Sequence, residues 1–192
     1  MNHITVFEAL WFILLAVCTY QILKKQNAYR LLNLYLIIPY TFILEYTAMS
    51  LGNAYTYGNF LITIGGAPVS ICAGWAVIIY AFMELSETIK TGIAVKSFIT
   101  ALMALALDLV MDPICIWLGY WKYNVPGIWF NVPWQNLVGW VTVVFIYSYL
   151  TRYVNTLKNV EGFFKPLLVF LLSLICLGVY TALMLVLMGV LV

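Results

Sequence analysis

Six apolar stretches punctuate the chain, near 4–23, 31–51, 67–86, 93–112, 134–151 and 167–190. Each approaches the ~20 residues that a helix needs to cross a hydrocarbon core. The pattern therefore predicts six transmembrane helices in an all-α, polytopic membrane bundle. Two of the connections, 52–68 and 119–133, are long and carry several glycines and aromatic residues each.

Composition agrees with the pattern. Of 192 residues, 65% are hydrophobic and only 8% charged, against about 25% charged in soluble domains. Mean hydropathy is +1.02. Such a chain cannot present a conventional wet surface, and it is expected to form one integral membrane domain over 1–192 with no separate soluble part. The net charge of +2 is spread over loops without a basic patch, which excludes nucleic acid as a partner.

The basic residues orient the bundle. Lys24, Lys25 and Arg30 fall in the first connection, Lys90 and Lys96 around the third, and Arg152, Lys158 and Lys165 in the fifth, whereas Lys122 alone falls in an even-numbered one. By the positive-inside rule the odd connections face the cytoplasm and both termini face outward. Glu84, Glu87 and Glu161 sit near basic residues and read as solvated interfacial groups, while Glu8, early in the first helix, is either a fourth outer-half carboxylate or an interfacial one, the nearby terminus favouring the second.

The four cysteines (Cys18, Cys72, Cys115, Cys176) show no C-x-x-C spacing and read as apolar packing residues. His3, the only histidine, is expected to face solvent. Leu15-Ala16-Val17-Cys18 has some likeness to a lipoprotein cleavage site. However, the charges follow the apolar run and no small residue directly precedes the cysteine, so neither a lipoprotein nor a cleaved signal peptide is expected.

Candidate chemistry concentrates at one depth. Asp108 and Asp112 lie four residues apart, which on a helix leaves their Cβ atoms about 5–6 Å apart. An aspartate in hydrocarbon costs roughly 2.5–3.5 kcal/mol even on insertion scales, and such residues mark function. Two carboxylates this close in low dielectric resist double ionisation, so one is expected to hold a proton at neutral pH, as a general acid must. Pro113 is expected to kink or end the helix and turn Asp112 towards the outer loop. Glu45, near the outer end of the second helix, adds a third carboxylate at the same level, with Lys122 the one basic residue on that side.

Aromatic residues crowd the same region. Trp and Tyr belts are normal at membrane interfaces, but these rings also suit a site where positive charge develops on carbon. A desolvated aromatic face attracts a cation by ~2 kcal/mol or more. The chain has no phosphate loop, dinucleotide fingerprint, H-E-x-x-H motif, or nucleophile–histidine pair. The lack of a histidine cluster argues against zinc or iron, although oxygen ligands leave a hard divalent cation open. No metal or organic cofactor is expected.

The two long loops repeat a spacing. Glu45 precedes Gly52 by seven residues, as Asp112 precedes Gly119, and Pro68 precedes Trp75 by seven, as Pro133 precedes Trp140. This suggests a parallel repeat of helices two–three and four–five about an axis along the membrane normal.

The run Asp108-x3-Asp112-Pro113, Gly119-Tyr120-Trp121, Pro126-Gly127-Ile128-Trp129-Phe130-Asn131-Val132-Pro133 and Asn136-x2-Gly139-Trp140 resembles the membrane-embedded carotenoid hydratases of bacteria and archaea. The earlier block of Glu45, Gly52, Tyr55-x-Tyr57, Gly65-Gly66-Ala67-Pro68-Val69 and Trp75 is similar to that family's upstream motif. The resemblance covers about 40–142. Asn131 departs from it, standing where the family commonly has glycine, and the chain is shorter than many members.

The resemblance implies addition of water across a terminal double bond of an acyclic carotenoid, giving a tertiary alcohol without a cofactor, in the plasma membrane of a prokaryote. It implies a lipid-soluble polyene, water and membrane lipid as partners, with other carotenoid-pathway enzymes as candidates. Asp112 would donate the proton while Asp108 shares it, and Glu45 would deprotonate the attacking water, though these roles are exchangeable. Tyr55, Tyr57, Trp75, Trp121 and Trp140 would stabilise the cation, and Asn136 would orient water or a carboxyl group. The rival readings are a cyclase of the lycopene type, a non-catalytic carotenoid-binding subunit, and a small proton-coupled transporter.

Overall fold

The computed structural model describes residues 3–187. Six long helices span His3–Lys24 (α1), Ala28–Ser50 (α2), Val69–Ser86 (α3), Ile93–Trp117 (α4), Trp134–Thr156 (α5) and Phe164–Leu187 (α6), joined by short strands at Tyr55–Tyr57 (β1), Thr63–Ile64 (β2), Ala67–Pro68 (β3) and Trp121–Tyr123 (β4). All six helices are long and apolar enough to cross a bilayer. The predicted end of the last stretch, 188–190, lies outside the described residues.

The helices pack as a ring in which α2 touches α3, α3 touches α4, α4 touches α5, α5 touches α6 and α6 returns to α2. Helix α1 lies outside the ring, mainly on α3. That contact is close because Gly74 has no side chain. A Cβ there would meet the Trp11 ring at 2.9 Å, in the small-residue style of membrane helix packing.

Of the kink or end expected at Pro113, the end does not occur, since α4 continues to Trp117. A proline at 113 leaves the carbonyl four residues back without its helical donor. The Trp129 indole Nε1–H fills that place, donating to the Leu109 carbonyl at 3.0 Å. The helix ends instead at Gly119, with φ +74°. There Tyr120 N–H reaches the Cys115 carbonyl at 2.8 Å and Gly119 N–H reaches Ile116 at 3.0 Å. This paired pattern, with a left-handed glycine, is a Schellman stop. It turns the chain directly into β4.

The long loops, given no secondary structure above, pair as strands. β1 and β4 run antiparallel with Tyr55 opposite Tyr123, Thr56 opposite Lys122 and Tyr57 opposite Trp121. A two-fold axis through the Thr56–Lys122 pair would exchange Tyr55 with Trp121 and Tyr57 with Tyr123, and Trp75 and Trp140 stack on one another at 3.7 Å. Both relations are of the kind the suggested repeat requires. The motif following β4 is also tightly turned. Asn131 has φ +68°, a region open to glycine and asparagine, so its departure from the family's glycine is tolerated. A Cβ at Gly127 would lie 2.2 Å from the Asn131 backbone.

Two charged residues are placed differently from the expectation. Glu8 is buried, 3% exposed, and both its oxygens accept from the Leu61 N–H at 3.0 and 3.1 Å. The loop folds back onto α1 and covers it, a long-range contact that proximity to the terminus does not reveal. Arg152 belongs to α5 and is buried, not a loop residue. Its guanidinium donates to Glu87 Oε1 at 2.7 Å, Ser86 Oγ at 2.6 Å, Ser97 Oγ at 3.1 Å and Thr100 Oγ1 at 3.2 Å. It thereby ties α3, α4 and α5 together at the end opposite the ribbon.

At Glu87 partial burial opposes ionisation, but hydrogen bonds and charge from Lys96 and Arg152 outweigh it and hold the carboxyl below its ordinary value. A carboxylate lowered by folding contributes stability that is fully present above its unfolded value of about 4.3 and lost as pH falls through the folded one. Glu87→Gln is accordingly expected to lower the thermal midpoint at pH 7, with the gap to wild type closing in acid. Unfolding curves of both proteins from pH 7 to pH 3 check this.

Candidate active site

The alternation of β1 and β4 sets the site. Thr56 and Lys122 face outward and are exposed, while Tyr55, Tyr57, Trp121 and Tyr123 lie on the inner side, half-buried or buried. They cover the ends of α2 and α4, which carry the acids. Glu45, Asp108 and Asp112 are 4%, 0% and 3% exposed, so charge on any of them needs internal hydrogen-bond donors.

Glu45 has three. Trp75 Nε1 donates to Oε1 at 2.7 Å, and the Tyr55 and Tyr57 hydroxyls both donate to Oε2, the latter at 2.7 Å. Asp112 Oδ2 accepts from the Tyr123 hydroxyl at 2.6 Å and from Asn136 Nδ2 at 2.9 Å. The same Asn136 amide donates to Asp108 Oδ2 at 2.9 Å, so one side chain bridges the aspartate pair. Asp108 Oδ1 is buried and has no hydrogen-bond partner among the described residues.

Burial, and then the facing Glu45 charge, push the Tyr55 and Tyr57 hydroxyls well above the usual phenol range. Burial and then Asp112 do the same to Tyr123. These three groups therefore remain protonated donors at any physiological pH.

The two acid clusters meet at a common space. A cavity of about 50 Å³ is lined by Glu45 and Asp112 together with Tyr55, Tyr57, Trp121, Tyr123 and Asn136. A water's share of liquid volume is about 30 Å³, so it holds one or two. Beside it lies a larger, mostly apolar cavity of about 120 Å³ between α2, α5 and α6. Glu45, Tyr55, Trp75, Tyr123, Asn136 and Trp140 line both. Asp108 lines neither of these two cavities.

All nine residues singled out from sequence thus fall in one region, although Tyr55, Tyr57 and Trp75 serve first as donors to Glu45. Trp75 and Trp140 stack with planes 20° apart. Tyr123 stood in sequence only as one of the crowded loop aromatics, without a role of its own, and Tyr180, Thr181 and Met184 of α6, which wall the apolar cavity, were not singled out. Tyr123 had a signal, since Tyr-Thr-Tyr and Trp-Lys-Tyr share an alternation that would put aromatics on one face of paired strands. The α6 residues had none. Among the described residues no group of three or more His, Cys, Asp or Glu is placed to hold a metal ion.

Six membrane-length helices define an integral membrane protein, and a mostly apolar cavity lies beside its buried acids. The chain belongs to the carotenoid biosynthesis protein family, whose model matches residues 4–192. It is also similar to bisanhydrobacterioruberin hydratase of Haloarcula japonica, 38% identical over 47 residues. That stretch covers 24% of this chain and 16% of the archaeal protein. No solved structure matches the chain.

Proposed function

We propose that the protein hydrates a terminal double bond of an acyclic carotenoid. The observation that carries this reading is that Glu45 and Asp112, from different helices, line one water-sized cavity next to an apolar one. The polyene lies along the apolar cavity with its terminal alkene at the junction with the water-sized one, which Asp112 lines. Asp112 gives its proton to the terminal alkene carbon there, leaving a tertiary carbocation. The stacked Trp75 and Trp140 faces and the nearby carboxylates stabilise that charge in a low-dielectric site. Water held by Glu45 and Asn136 attacks the cation and passes a proton to Glu45, so one water is added and nothing is oxidised. Proton exchange through water in the cavity that Glu45 and Asp112 both line returns the acids to their starting state.

Asp108 acts through Asp112. Sharing the Asn136 amide and one proton, it keeps the pair singly charged. In the cell the ribbon end would face outward, as the distribution of lysine and arginine implies. The partial similarity to a hydratase supports the same reaction class.

The test is expression in a host that accumulates an acyclic carotenoid. A more polar pigment heavier by one water is expected. A pigment isomeric with the substrate would identify a cyclase instead, in which an internal double bond captures the cation. Unchanged pigment would favour a binding subunit.

A further inference from the structure

We propose that water and the polyene reach the acids by separate routes, with water coming from a vestibule beyond the β1–β4 ribbon, past the rings of Tyr57, Trp121 and Tyr123. This deepens the hydratase reading and rests on it for the identity of the second reactant. The vestibule has a volume of about 620 Å³, and the exposed Thr56, Lys122 and Asn131 are among its walls. Tyr57, Trp121 and Tyr123 line both this space and the inner cavity that holds Glu45 and Asp112. They are the partition between solvent and acids.

The partition is built to pass something small and polar. Tyr57 and Trp121 are cross-strand partners with rings 6.0 Å apart and nearly perpendicular. Two of the three rings end in hydroxyls bound to opposite acids, Tyr57 to Glu45 and Tyr123 to Asp112. A water slipping between them exchanges one hydrogen bond for another at each step. Beside Trp121 the rim is bare backbone, because a Cβ at Gly58 would meet the Gly119 carbonyl oxygen at 2.8 Å. The apolar cavity is walled on its far side by Tyr180, Thr181, Met184 and Leu185 of α6, and shares only Tyr123 and Val125 with the vestibule. A polyene is held better by the mostly apolar cavity than by the vestibule, whose rim carries Thr56, Lys122 and Asn131, and water gains nothing from the apolar cavity. Reactants of opposite polarity are thus kept apart until they meet at the acids.

The experiment places a plug in the vestibule. Thr56→Cys, on the outward face of β1, is labelled with a bulky maleimide in the full chain reconstituted in lipid vesicles. Wild type treated alike is the control, its Cys18, Cys72 and Cys115 being buried and any label on the half-buried Cys176 being common to both proteins. Hydration rate and polyene retention are measured together with hydroxyl-radical oxidation of Met111 and Trp140, which line the inner cavity. Labelling is expected to cut the rate at least tenfold, lower oxidation of both residues several-fold, and leave polyene retention within twofold. Unchanged oxidation would overturn the proposal, and so would retention lost in step with rate, since the polyene would then use this route. Oxidation that responds while no polyene gains oxygen leaves the water route standing and removes the hydratase reading.

Discussion

Asp112→Asn should abolish product formation, lowering the hydration rate by about 10²–10⁴-fold, the usual contribution of a positioned general acid, with polyene binding retained. The amide keeps the size of the side chain and can still meet Asn136 and the Tyr123 hydroxyl, which now hold it at 2.9 and 2.6 Å. What it lacks is a transferable proton facing the cavity. Asp108→Asn should do less, on the order of tenfold, since Asp108 lines neither the water-sized nor the apolar cavity and works through its neighbour. It should also change the pH range over which activity is held, because the shared proton has gone. Rates and pH profiles of the two purified variants, with polyene binding followed by absorption, separate donor from positioning residue. Equal loss in both would contradict the assignment.

The second large effect is expected at Glu45. Its carboxylate collects three donors, from Trp75, Tyr55 and Tyr57. Glu45→Gln replaces an acceptor oxygen by an NH₂ group, so at least one of the three donors loses its acceptor in a buried site. An unmatched buried group costs about 1–3 kcal/mol, and the thermal midpoint should fall measurably. The catalytic loss should be larger, at least ~10²-fold, because the base that activates water has gone. Tyr57→Phe gives the comparison. It removes one donor and keeps the base, so a rate loss matching that of Glu45→Gln would show that packing, not proton transfer, is what the cluster supplies.

Much of this site was legible in the sequence because its signals are local. The four-residue spacing of Asp108 and Asp112 places them on one helix face, and membrane-length apolar runs locate the helices. The equal spacings from Glu45 to Gly52 and from Asp112 to Gly119 bring corresponding acids to the same depth. What failed depended on distant partners. Pro113 does not stop its helix because Trp129, sixteen residues later in the sequence, supplies the missing donor to Leu109. Glu8 is covered by a loop around residue 61, and Arg152 is drawn inward by serine, threonine and glutamate groups from α3 and α4. The ribbon escaped notice for the same reason, since its strands are three residues each and separated by sixty-odd positions. Strands so short carry almost no signal of their own.

The central claim is that buried carboxylates add water to a polyene. Its most direct test is the mass of the product formed by the purified protein from an acyclic carotenoid in water enriched in heavy oxygen. The account predicts a tertiary alcohol carrying the heavy oxygen from wild type, and almost none from Asp112→Asn. A product isomeric with its substrate, or a hydroxyl without the label, would contradict it.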